Sequence, residues 1–155
     1  SQDLGHYADF GIQISPEMVE GLTVGYGFGE LEPNTSQTID NETMFVKYAV
    51  GGFTLGYQKS EADGTAATQD DESTGYAISY AVNENLTIAY GERDYEEDTT
   101  NTANTVEQND SGISASYTMG GMTIAGHMNS NDNVGGSTAA TNDKESYEFA
   151  LTFAF

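Results

Sequence analysis

The sequence has no cysteine and no tryptophan, only two prolines, and four basic residues against 25 acidic ones in a chain of 155. The missing cysteine removes disulfide frameworks and thiolate metal sites. A formal net charge of -21 argues against nucleic acid and other polyanions as partners, because affinity for phosphate backbones rests on Lys and Arg. Long apolar runs are missing as well. A membrane-spanning helix needs roughly 20 mostly apolar residues in succession, and even the stretch 149–155 falls far short. Hydrophobic content of 37% is low for a packed globule. Neither that figure nor a mean hydropathy of -0.49 excludes a membrane, since in a spanning β-barrel only alternate residues meet lipid. Ser1 is not preceded by a signal peptide, as expected of a processed secreted protein or of a fragment.

What the chain does have is a recurring phrase that follows short turns: LTVGYGFGE from Leu22, FTLGYQKSE from Phe53, LTIAYGERD from Leu86 and MTIAGHMNS from Met122. Each is apolar at every second residue. In a strand, side chains alternate between faces, so Leu22, Val24, Tyr26 and Phe28 share one face while Thr23, Gly25, Gly27 and Gly29 share the other. Reading such stretches along the chain predicts nine strands, at about 6–15, 22–30, 43–50, 53–61, 74–82, 86–94, 112–119, 122–129 and 146–155, and no helix. The connections alternate in kind. Gly51-Gly52, Asn83-Glu84-Asn85 and Gly120-Gly121 carry hairpin chemistry, and 16–21 is also short, whereas 31–42, 62–73, 95–111 and 130–145 read as long polar loops. Tight turns at one end and long loops at the other predict an all-β, antiparallel, up-and-down transmembrane barrel segment, one unit over 1–155 without separate domains.

The two registers differ in kind. Large residues, among them Tyr26, Tyr57, Tyr80, Tyr117, Phe149, Leu151 and Phe153, fall on the lipid register, several near strand ends where aromatic girdles form. Small ones such as Gly75, Ala77, Ser79, Ser114, Ser116, Ala89 and Gly91 fall on the other. A barrel of about eight strands fills its interior with side chains, while one of about 16 encloses water and needs no filling, so the small residues predict the wall of a wide pore. Nine strands cannot close a bacterial single-chain barrel, which takes an even number.

The run YTMGGMTIAGHM at 117–128, the repeated turn-plus-TIAY phrase and the ending YEFALTFAF, with its terminal Phe155, resemble the general porins of the Gram-negative outer membrane, in particular those of alphaproteobacteria. The resemblance covers essentially the whole chain. It implies a 16-stranded barrel, of which these strands would be the last nine, a homotrimer, contact with outer-membrane lipid and lipopolysaccharide, and a terminal aromatic, Phe155, that serves as an assembly signal. The family's constriction loop lies in its earlier half, so no eyelet residue carries over to this chain.

Polar residues on the small-residue register are the candidates for lining a lumen: Asp9, Gln13, Lys47, Gln58, His127 and Glu148. A basic residue facing lipid near mid-membrane costs roughly 2–4 kcal/mol, which places Lys47 toward water. Lys59 has lipid-side parity near a loop end, where its stem can snorkel. The acids at Asp70, Asp71 and Glu72, at Asp94, Glu96, Glu97 and Asp98, and at Asp132, Asp143 and Glu145 have oxygen ligands suited to Ca²⁺. They lack EF-hand spacing, and solvated loop acids are the simpler reading. No cofactor is expected. His127 and His6 have no accompanying nucleophile signature, and Gly25, Gly27 and Gly29 alternate within a strand with no helix after them, so neither catalysis nor a phosphate loop is indicated. The expected function is passive diffusion of small hydrophilic solutes and ions across the outer membrane, with cation preference if the loop acids ring the mouth. A surface adhesion or receptor barrel, or a secreted soluble acidic β-protein, would share the alternation. The first would have apolar loop tips, and the second would bury its large residues.

Overall fold

The computed structural model describes residues 5–34, 37–65, 70–98 and 106–154. They form one antiparallel sheet of nine strands in chain order: β1 (His6–Ile14), β2 (Leu22–Asn34), β3 (Gln37–Val50), β4 (Phe53–Gly64), β5 (Asp70–Ala81), β6 (Leu86–Asp98), β7 (Gln108–Met119), β8 (Met122–Asp132) and β9 (Lys144–Phe153). Every strand pairs with the next in sequence. Among the described residues, β1 and β9 each have a partner on one side only.

The turn end of the sheet follows directly from local chemistry. Gly51 and Gly120 have φ of 57° and 58° at the first position of two-residue turns, which is where a type II′ hairpin needs glycine. At the β5–β6 turn the Asn83 carboxamide oxygen accepts from the backbone N–H of Asn85 (2.9 Å) and of Leu86 (3.0 Å), an Asx turn that fixes the hairpin register. Gly21, before β2, has φ of 82°, and a Cβ there would lie 2.0 Å from the carbonyl oxygen of Ala49.

At the other end the strands outrun the apolar pattern. β3 begins at Gln37, β5 at Asp70 and β7 at Gln108, while β6 continues to Asp98 and β8 to Asp132. Much of 31–42, 62–73, 95–111 and 130–145, expected as loop, is therefore ladder. The ladder is made by backbone N–H and C=O groups and continues whatever the side chains, whereas the apolar alternation that marks a strand stops where the lipid stops. The expected absence of helix needs one correction, a single 3₁₀ turn at Ala140–Asn142 in the β8–β9 connection.

Among the described residues no hydrophobic side chain is buried. Phe149 is 72% exposed, Tyr147 68% and Phe10 62%, and most large residues of the nine strands sit on the same face. A soluble sandwich buries such a face, and a monomer in water rarely exposes an apolar patch beyond a few hundred Å². Among the described residues the apolar face is outside and no core lies within. The register explains the uniformity: partners across a ladder share a face, and Val24↔Val46, Val46↔Tyr57, Tyr57↔Tyr76, Ile78↔Tyr90, Tyr90↔Ile113, Tyr117↔Ile124 and Ile124↔Leu151 run from strand to strand.

Candidate functional site: the small-residue wall

The opposite face is equally continuous. One row across it reads Lys47, Gly56, Ala77, Gly91, Gly112, Asn129 and Ser146, each residue paired with the next. The row on its loop side reads Phe45, Gln58, Gly75, Arg93, Asp110, Asn131 and Lys144, and the row on its turn side includes Thr54, Ser79, Ala89, Ser114, His127 and Glu148. A cavity of about 920 Å³ lies along this face from Phe45 on β3 to His127 on β8. A single hollow that spans six strands requires the sheet to curve toward the small residues, so this is the concave side.

All six candidates read from the sequence fall on that side: Asp9 and Gln13 opposite Gly29 and Gly25, Lys47 opposite Gly56, Gln58 opposite Phe45, and His127 opposite Glu148. The fold brings two of them into contact, His127 Nε2 lying 3.3 Å from Glu148 Oε2. Lys47 has no ion-pair partner among the described residues. Phe155 lies outside the described residues.

The sequence reading missed the most connected group on the concave face. Asp110 accepts hydrogen bonds from Arg93 Nε (3.0 Å), from Gln108 Nε2 (2.9 Å) and from Asn131 Nδ2 (2.6 Å), and it is ion-paired with the Arg93 guanidinium. Its side chain is only 15% exposed. Three donors on three adjacent strands thus pin the wall of β6, β7 and β8 near the loop end. Arg93 continues the parity of Ala89 and Gly91 inside the strand read at 86–94, and starting β7 at Gln108 instead of Gly112 would have set Asp110 opposite it. Phe45 and Tyr7 were missed too. Both lie on the concave side over glycines of β2: a Cβ on Gly25 would meet the Phe45 ring at 2.1 Å, and one on Gly29 the Tyr7 hydroxyl at 3.1 Å.

The acids are not gathered in loops. Asp71, Glu97 and Asp110 point to the concave side, whereas Asp70, Glu72, Asp94 and Glu96 have the parity of the apolar face, so acids adjacent in sequence are split between two sides of the sheet. Of those named, Asp143 alone lies between strands. On the apolar side, beyond the last large residues, Glu42, Glu61, Glu72 and Glu96 are successive ladder partners. Lys59, on the outer side as its parity required, is ion-paired with both Glu61 and Glu72.

An apolar outer belt, a concave inner wall of small and polar residues and a meander of antiparallel strands define the wall of a transmembrane β-barrel channel. A sequence model of Gram-negative porins matches residues 1–136. The chain belongs to the Gram-negative porin family, a family of non-enzymatic channels, and is an outer-membrane protein. No curated protein and no solved structure matches it.

Proposed function

We propose that the chain forms part of the wall of a water-filled channel through which small hydrophilic solutes and ions cross the outer membrane by passive diffusion. The supporting observation is the row of Gly56, Ala77, Gly91 and Gly112 on the concave side. Residues this small fill nothing, and a Cβ built at Gly56 has no atom within 4 Å. A closed eight-stranded barrel would need side chains there, whereas a wide one leaves the space to water. In this reading Asp9, Gln13, Lys47, Gln58, His127 and Glu148 line the lumen. The open edges of β1 and β9 are closed by further strands, because an unpaired edge is not tolerated in hydrocarbon. Assembly as a homotrimer belongs to the same proposal.

Reconstitution of the whole porin into planar bilayers tests it. The expected result is stepwise ionic conductance that scales with bulk electrolyte conductivity, and liposome swelling rates that fall smoothly as solute size increases. Sealed bilayers, or swelling indifferent to solute size, would refute passive diffusion.

A further inference from the structure

An aromatic ring on a water-facing wall of small residues has no place in a simple pore, and Phe45 is such a ring. Its position is specified by its neighbours. One row runs from Gln13 on β1 through Gly25 on β2 and Phe45 on β3 to Gln58 on β4. The Phe45 ring lies across Gly25, so close that a Cβ there would be 2.1 Å from Cε1 and 2.5 Å from Cζ. The ring therefore lies against the backbone of β2 instead of standing in the lumen, while the residue also lines the concave cavity. Gln58 is its ladder partner on one side, and Gln13 stands in the same row on the other, beyond Gly25. Gln58 donates to Ser60 Oγ (3.2 Å), which in turn accepts from Thr43 Oγ1 (3.0 Å). Lys47, two residues along the strand on the same face, has an ammonium with no ion-pair partner among the described residues.

We propose that Phe45, Gln13, Gln58 and Lys47 form a weak binding site on the channel wall for a neutral sugar ring. A flat apolar surface bordered by a few placed polar groups is the common composition of a small-molecule site. The particular mixture selects the ligand class. A pyranose presents a face of C–H groups that matches the ring, and a rim of hydroxyls that both donate and accept. A carboxamide does both as well, and the Lys47 ammonium donates only. Gln13 and Gln58 contribute no charge, so an ionic solute gains little beyond Lys47. The proposal rests on the channel reading above, since the site faces the lumen.

The ring also covers a glycine, a stabilising role in its own right, so the test separates the two. Single-channel currents of the whole porin are recorded with maltotetraose added on one side, and with a poly(ethylene glycol) of equal hydrodynamic radius as control. Maltotetraose should give saturable, resolved current interruptions, and the polymer should give only an unsaturable fall in conductance. Phe45→Leu still covers Gly25 but presents no planar face. Measured against that variant's own open-channel current, it should shorten the interruptions by about fivefold, the scale of a lost aromatic contact. Phe45→Trp should preserve or lengthen them. Interruptions of equal duration in wild type and Phe45→Leu, or none that saturate in a channel that conducts normally, would overturn the sugar site and leave the channel reading standing. Absence of any conductance would overturn both.

Discussion

At the scale of single residues, parity governs where a side chain goes. Ser79 and Tyr80 are adjacent yet belong to different worlds: Ser79 pairs with Thr54 and Ala89 on the concave side, and Tyr80 stacks on Phe53 outside with ring centroids 4.4 Å apart. An impermeant thiol reagent should label Ser79→Cys and spare Tyr80→Cys, and the same contrast should hold for Ser116→Cys and Tyr117→Cys. The reverse pattern would mean a one-residue slip of the whole register. Gly21 shows how little freedom a turn residue has. Its left-handed φ and the 2.0 Å approach of a would-be Cβ to the Ala49 carbonyl leave no room for any side chain. The Gly21 carbonyl also accepts from the Ala49 N–H at 2.9 Å. Gly21→Ala should cost at least about 1–3 kcal/mol in local strain and lower the yield of heat-resistant, folded porin on unboiled gels, whereas Gly51→Ala, with open space around it, should cost less.

At the scale of strands, the sequence revealed all nine and the hairpin chemistry between them, because lipid enforces an apolar residue at every second position over the height of the hydrocarbon. Beyond that height the signal disappears while the strand goes on. Thus Asp110, whose pairing with Arg93 ties β6 to β7, was out of reach of a reading that began its strand at Gly112, and Arg93, inside the strand read at 86–94, stood there without its partner. Phe45 escaped for another reason: it lies between Met44 and Val46 in an unbroken apolar run, where only its parity with Lys47, confirmed by the ladder to Gln58, assigns its side. Lys47 and His127 were legible because each interrupts a clear alternation. The hidden strand ends carry a cost of their own. Asp71↔Glu97 and Glu72↔Glu96 place like charges directly opposite at the loop end of the β5–β6 hairpin, which weakens the pairing. Glu96→Gln should therefore slow amide exchange at 70–73 and 95–98. The gain should be largest at low ionic strength, where the Debye length is about 30 Å at 0.01 M, and should vanish near 1 M, where it is about 3 Å. Exchange unchanged at low salt would show that the opposed acids do not strain this hairpin.

For the whole molecule, the net charge of -21 is a poor guide to what an ion in the channel experiences. The concave side of the described strands carries Asp9, Asp71, Glu97, Asp110 and Glu148 together with Lys47, Arg93 and Lys144, and most other strand acids lie on the outer side. Arg93 and Asp110 largely cancel each other. We therefore expect only mild cation preference from this part of the wall, in place of the strong one that acids ringing the mouth would give. Lys47→Glu reverses an unpaired charge and should shift the zero-current potential clearly toward cations at 0.1 M salt. No shift would mean that Lys47 does not face the conducting path.

The lack of a packed core has a consequence for how such a protein can evolve. In a globular enzyme, reshaping the site disturbs packing, and new activity is gained at the expense of stability. Here the small residues that set the calibre, such as Gly56 and Ala77, contribute almost nothing to holding the sheet together, which is done mainly by backbone ladders and by lipid. A larger side chain at Gly56 meets no atom within 4 Å of its Cβ, so the bore can narrow by one substitution without loss of fold. Selection for exclusion of a toxic solute can then act on the wall alone, and a lineage can move through many pore sizes while its scaffold stays the same.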